Sequence, residues 1–123
     1  MGRVKYFLDT YAMIEITKAN ESYEKYLTEN LTTCALNLYE FFYSCLKDYG
    51  EEKAKELFYV FHSISLTISN EDIFLAAKLK MKYAKNKISY ADALGYAMAI
   101  NRNMRFLTGD KEFKDLEQVE FVK

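Results

Sequence analysis

Proline is absent from the chain, and glycine occurs only four times. Polar residues must therefore punctuate the fold, which points to helices joined by short polar turns. Cysteine occurs twice, at Cys34 and Cys45, each among apolar neighbours. Two cysteines make no disulfide framework and no thiolate metal site. Free thiols of this kind suit a reducing cytoplasm, the expected compartment. The one histidine, His62, leaves no partner for a two-histidine acid–base mechanism. No apolar run approaches the roughly 20 residues of a membrane span, and no signal-peptide pattern is present. An excess of one charge is missing too. The 17 basic residues face 18 acidic ones, so charge alone names no partner. A pI near 5.9 argues against a generic basic nucleic-acid coat, though not against a local basic patch. There is no internal repeat and no low-complexity segment.

What remains is a chain of 123 residues, half of them hydrophobic, which is enough for one domain with a real core. Residues 3–8 (Arg-Val-Lys-Tyr-Phe-Leu) read as a strand, apolar at its far end, running into Asp9-Thr10. Short helices are expected over Tyr11 to Lys18 and, after Asn20, over Glu21 to Glu29. Leu31 to Ala35 reads as a second strand. Asn37 is positioned to cap a helix reaching Tyr49, with Glu40 as its third residue and Gly50 as its end. Glu51 to His62 forms another helix, acidic in its first turn as the helix dipole prefers. A third strand over Ile64 to Ile68 and a helix from an Asn70 cap to about Lys85 follow.

The clearest helix start lies at Ser89-Tyr90-Ala91-Asp92-Ala93. Ser89 is a good N-cap, and Asp92 stands where a capping-box partner would stand. The small residues Ala93, Gly95, Ala97 and Ala99 allow close packing. Asn101 to Asn103 end this helix. Met104 to Leu107 reads as a buried fourth strand, broken by Thr108-Gly109-Asp110. Val119 to Val122 reads as a short edge strand.

Strands that alternate with helices imply an α/β fold with a mostly parallel sheet. Ligands of such sheets sit beyond the carboxyl ends of the strands. Asp9 and Asp110 end strands, whereas Glu40 and Asp92 start helices, so all four acids can meet at one edge. Each acid also has a plain structural use. Glu40 and Asp92 fit capping boxes worth roughly 1 kcal/mol each. Asp110 can be the N-cap of a short helix around Glu112 to Leu116. Asp9 is the hardest to explain without a ligand, because a charge after an apolar strand is costly.

The set Asp9-Thr10, Glu40, Ser89 to Ala93 and Thr108 to Phe113 resembles a PIN-domain ribonuclease. Within that family it is most similar to the VapC-type toxins of toxin–antitoxin pairs. The resemblance spans nearly the whole chain and is most specific in its two C-terminal motifs. It implies a three-layer fold with a five-stranded sheet of order 3-2-1-4-5, RNA hydrolysis, and a Mg²⁺ or Mn²⁺ site. Asp9, Glu40, Asp92 and Asp110 match its acidic positions, and Thr10 and Thr108 its supporting hydroxyls. Donor chemistry agrees, since clustered carboxylates without histidine suit hard cations better than zinc. On this reading Asp9 and Asp92 make the main metal contacts. Glu40 holds a water of the ion or a second ion, Asp110 completes the set, and the threonines orient it.

Two other readings remain open: a PIN-fold binding module without activity, and a receiver-like or phosphatase-like domain. Against the latter, no second Asp follows two residues after Asp9, and none follows strand three. Lys78, Lys80, Lys82, Lys85 and Lys87 form either a solvated face or a phosphate-binding one. The apolar surplus in residues 41–61, around Phe41, Phe42, Tyr43, Leu57, Phe58, Tyr59, Val60 and Phe61, suggests a homodimer or antitoxin surface.

Overall fold

The structure, a computed structural model, describes residues 4–123. The first strand, β1, covers Lys5–Leu8; Arg3, included in the expected strand, lies outside the described residues. Helix α1 (Thr10–Thr17) follows at once, then a 3₁₀ turn over Glu21–Tyr26. The α-helix expected over 21–29 is thus replaced. In a 3₁₀ turn residues three apart eclipse one another, so Tyr23 and Tyr26 both point inward and are buried. Their hydroxyls donate to the Val122 carbonyl and to Glu120, across the far end of the chain.

Strand β2 (Asn30–Cys34) leads directly into helix α2 (Ala35–Tyr49). Cys34 therefore occupies the N-cap position, and Asn37 lies inside the first turn instead of capping it. Glu40 falls in the second turn, too far along for a capping box. Gly50 ends α2 at φ 83°, a value that suits glycine. Helix α3 (Glu51–His62) folds back on α2, with Phe41 against Phe61 and Phe42 against Phe58.

Strand β3 shrinks to Ser65–Leu66, which pair with Thr33 and Cys34 of β2. Helix α4 (Asn70–Lys82) is capped by Ser69, which forms a reciprocal capping box with Asp72. Asn70 is thus the first helical residue and not the cap. Lys82 ends the helix short of the expected Lys85, and a 3₁₀ turn over Ala84–Asn86 follows. Helix α5 (Tyr90–Asn101) starts at Ser89 as expected. Strands β4 (Arg105–Thr108) and β5 (Val119–Phe121) complete the sheet, with a 3₁₀ turn over Lys111–Phe113 between them.

All pairings are parallel, and the order is β3-β2-β1-β4-β5. Side chains alternate across the sheet. Phe7 and Phe106 face α4 and α5, whereas Tyr6, Leu8 and Leu107 face α1, α2 and α3. The result is a three-layer α/β sandwich. The two long helices of each later crossover pair with each other, so both fit on one face. At one end of the α4–α5 pair, Asp72, fully buried, takes hydrogen bonds from Arg102 and Asn101. At the other end, Lys80 reaches the Ile88 carbonyl.

Candidate active site

Asp9 leaves β1 at the carboxyl edge and is 1 % exposed. Its Oδ1 accepts from Ala12 N at 2.8 Å and caps α1. Its Oδ2 accepts from Thr108 Oγ1 at 2.5 Å. Both partners are neutral. Burial pushes the Asp9 carboxyl well above its usual range; the two hydrogen bonds oppose this, and the charges of Asp92 and Asp110 add to it. The Thr108 hydroxyl also accepts from Asp110 N at 3.0 Å. One threonine thus couples the end of β1 to the loop after β4.

That loop needs its glycine, since a Cβ on Gly109 would overlap the Tyr11 ring and the Val122 carbonyl. Asp110 Oδ1 accepts from Glu112 N at 3.0 Å and caps the following 3₁₀ turn. Asp110 is thus a cap as read, though of a 3₁₀ turn over Lys111–Phe113 and not of a helix around Glu112 to Leu116, whereas Asp9, the acid hardest to explain structurally, does have a plain structural use as the cap of α1.

Asp92 stands in the first turn of α5, where its own N–H donates to Ser89 Oγ at 3.0 Å. Its carboxyl is pushed up to about 6, first by burial and then by the charges of Glu40 and Asp110. Glu40 is tied to the end of β1 by Thr10, whose Oγ1 lies 3.2 Å from Glu40 Oε1 and 3.2 Å from the Asn37 carbonyl. The single hydroxyl proton serves one of them at a time. Asp9, Asp92 and Asp110 thus share one edge, and Glu40 joins through Asp92 and Thr10.

Asn37 is the residue that reading the sequence misassigned. It is fully buried, its Nδ2 faces Thr10 Oγ1 at 3.5 Å, and its Oδ1 lies 3.4 Å from Cys34 Sγ. A Cβ on Gly95 would stand 3.0 Å from that Oδ1. Asn37 therefore wedges α2 against α5 beneath Glu40. A signal existed: Asn37 and Glu40 are three apart, hence on one helix face.

None of the ion pairs among the described residues involves Asp9, Glu40, Asp92 or Asp110. A buried acidic group without a counter-charge calls for a cation or a proton. The donor set, carboxylates and hydroxyls only, fits Mg²⁺ or Mn²⁺. Among the described residues, however, no three His, Cys, Asp or Glu side chains are drawn tightly enough to hold an ion as they stand. His62 plays no part, since it stacks on Phe58 at the exposed end of α3. The five lysines lie mostly in solvent, and Lys80 alone among them is partly buried.

A parallel three-layer sheet with acids gathered beyond its carboxyl edge defines the class of the molecule. The PIN domain family model matches residues 6–119, and the chain belongs to that family. Membership sets aside the receiver-like reading. No curated protein sequence matches the chain. Among solved structures, the fold is similar to VapBC2 from Rickettsia felis, bound to a DNA fragment from its promoter. The TM-score is 0.76 at 21 % identity, covering 98 % of this chain and 100 % of the other. It is also similar to VapC20 from Mycobacterium tuberculosis, described as a sarcin–ricin loop cleaving toxin, with TM-score 0.76, 13 % identity and coverage of 96 % and 99 %. A toxin–antitoxin complex from Klebsiella pneumoniae gives 0.73 at 18 % identity, covering 94 % of this chain and 95 % of that one.

Proposed function

We propose that the chain is a single PIN domain acting as a divalent-metal-dependent endoribonuclease, the toxin of a toxin–antitoxin pair, working in the cytoplasm. One observation carries the nuclease reading. Asp9, Asp92 and Asp110 come from three separate elements, the charges of Asp92 and Asp110 push the Asp9 carboxyl up and that of Asp110 pushes the Asp92 carboxyl up, and among the described residues none of the three has a cationic partner. Asp9 and Asp92 would hold Mg²⁺ or Mn²⁺, with Glu40 and Asp110 completing the donor set. A bound ion of this kind activates water and offsets charge on the transferring phosphoryl group. The chain's own part is positioning. Thr108 holds Asp9 and the Asp110 backbone in fixed relation, and Thr10 orients Glu40. The Asn37 wedge sets the distance between α2 and α5.

Attack by water predicts products with 5′-phosphate and 3′-hydroxyl ends, and loss of cleavage in EDTA. Asp92→Asn should lower the rate by orders of magnitude with the fold intact. Cyclic 2′,3′-phosphate ends, or cleavage unaffected by EDTA, would refute the mechanism. Complete inactivity with Mg²⁺ and Mn²⁺ on every RNA tried would favour the inert binding module.

The toxin reading is supported by the toxin–antitoxin complexes among the structural neighbours and by the outer face of α2 and α3. Tyr39, Tyr43, Tyr59 and Val60 are all exposed there, and large exposed apolar side chains of this kind suit an interaction surface. An amphipathic antitoxin helix fits such a face. The chain is further proposed to form a homodimer, to be measured by light scattering with and without the partner.

A further inference from the structure

The segment that leads into α5 carries several lysines, and an aromatic ring stands in the first turn of the helix that bears Asp92; the metal chemistry uses none of them. Residues Ala91 and Ala93–Ala99 of α5 are buried, yet Tyr90, two residues before Asp92, is 76 % exposed. Nothing in the packing requires an aromatic ring there. The ring is nevertheless held in place. The Lys80 ammonium sits 4.4 Å from its centroid and donates to the Ile88 carbonyl at 2.8 Å. One side of the ring thus meets a fixed cation and the rest meets solvent.

The neighbouring turn is anchored to the site as well. Asn86 Nδ2 donates to the Glu112 carbonyl at 3.0 Å, tying the 3₁₀ turn Ala84–Asn86 to the turn capped by Asp110. Lys85 and Lys87, on or beside that tether, are exposed. An acidic centre repels the phosphates it must receive, and a basic rim offsets that repulsion.

We propose that Tyr90 is the platform on which a base of single-stranded RNA stacks as the strand enters the acidic site, while Lys85 and Lys87 contact flanking phosphates. This rests on the nuclease reading for its substrate. Aromatic stacking takes bases that are already splayed out, so it selects single-stranded RNA over duplex. A ring ordered before binding loses little entropy when the base arrives. Tyr90 also borders an apolar groove between α4 and α5, of about 700 Å³, with Ile73, Ala76 and Leu94. Lysines are depleted at the centres of protein interfaces, and Lys80 lines this groove beside the ring, which favours nucleic acid over a partner helix at this end.

The test uses the full chain in EDTA and a single-stranded oligoribonucleotide carrying 2-aminopurine. Wild type and Tyr90→Phe should quench the probe on binding. Tyr90→Ala should bind roughly tenfold more weakly and quench little. With Mg²⁺, Tyr90→Ala should raise KM by a similar factor and change kcat less. Replacing Lys85 and Lys87 by Gln should flatten the salt dependence of binding by roughly one unit of slope. Unchanged affinity and quenching in Tyr90→Ala would overturn the proposal, as would a Tyr90→Ala protein that keeps RNA affinity but loses self-association. Wild type that binds with Tyr90-dependent quenching but never cleaves would overturn the nuclease reading and support the platform. A Tyr90→Ala protein that cleaves as well as wild type, with unchanged KM, would overturn the platform alone.

Discussion

Asp92→Asn separates a ligand site from a set of caps. The Asp92 carboxyl has a folded value of about 6 against 3.8 for the free group. A raised folded value means that the group's contribution to stability is full below about pH 4 and is lost as pH rises through about 6. At pH 7.5 in EDTA, Asp92→Asn should therefore stabilise the protein by about 2 kcal/mol, after allowing for partial solvent access. That gain should fade toward pH 4 and reverse in saturating Mn²⁺, which stabilises only the intact site. Melting curves at both pH values, with EDTA or Mn²⁺, check it; destabilisation at neutral pH in EDTA would reduce Asp92 to a helix-start residue. Gly95 gives a second expectation at this scale. Alanine normally favours a helix by about 1 kcal/mol over glycine. Here its Cβ would lie 2.6 Å from Phe7 Cε1 and 3.0 Å from Asn37 Oδ1. Gly95→Ala should thus destabilise by about 1–3 kcal/mol, measured by urea unfolding, and displace Asn37.

Among the elements, the α4–α5 pair is clamped where Asp72 takes hydrogen bonds from Arg102, Asn101 and Ser69. Burial alone would raise the Asp72 carboxyl, but these bonds outweigh it and hold it well below the usual range. The sign is opposite to that of Asp92: the clamp stabilises above the ordinary carboxylate range and fails only as pH falls through the depressed value. Arg102→Met should cost about 3 kcal/mol at pH 7, because it strands a fully buried acid. Urea unfolding at pH 7 and near pH 2 should show that cost shrinking in acid. The α2–α3 pair offers a test of surface against core. Phe61 is buried, whereas Tyr59 and Val60 stand 66 % and 62 % exposed. Phe61→Glu should unfold the chain. Tyr59→Glu with Val60→Glu should leave the melting temperature within a few degrees and abolish partner binding, read by calorimetry.

For the molecule as a whole, the sheet order brings β1 and β4 side by side, and with them Asp9 and Asp110. Metal binding should therefore report on the entire fold. Mn²⁺ at 100 times its dissociation constant should add about 2.7 kcal/mol of stability if the unfolded chain does not bind it. A Thr108→Val variant should lose part of that gain, since the Thr108 hydroxyl links Asp9 to the Asp110 N–H. No helix among the described residues is long and apolar enough to cross a membrane.

The alternation of apolar strands with capped helices, and the acids at strand tips and helix starts, were legible in the chain itself. Periodicity and capping act over a few residues, so local sequence determines them. The start of α5 and the span of α3 followed from such signals. Asn37 did not, because its amide nitrogen turns to Thr10, 27 residues away, while its oxygen faces Cys34 at the start of α2. Nor did the 3₁₀ turn at Tyr23 and Tyr26, whose hydroxyls answer to Val122 and Glu120 at separations of 99 and 94 residues. The Thr108–Asp9 link also spans 99 residues. Sequence alone picked out the acids and hydroxyls proposed to carry the chemistry. Tertiary structure decided their spacing, their burial and their shared hydroxyls, because those depend on contacts between segments that local propensity does not bring together.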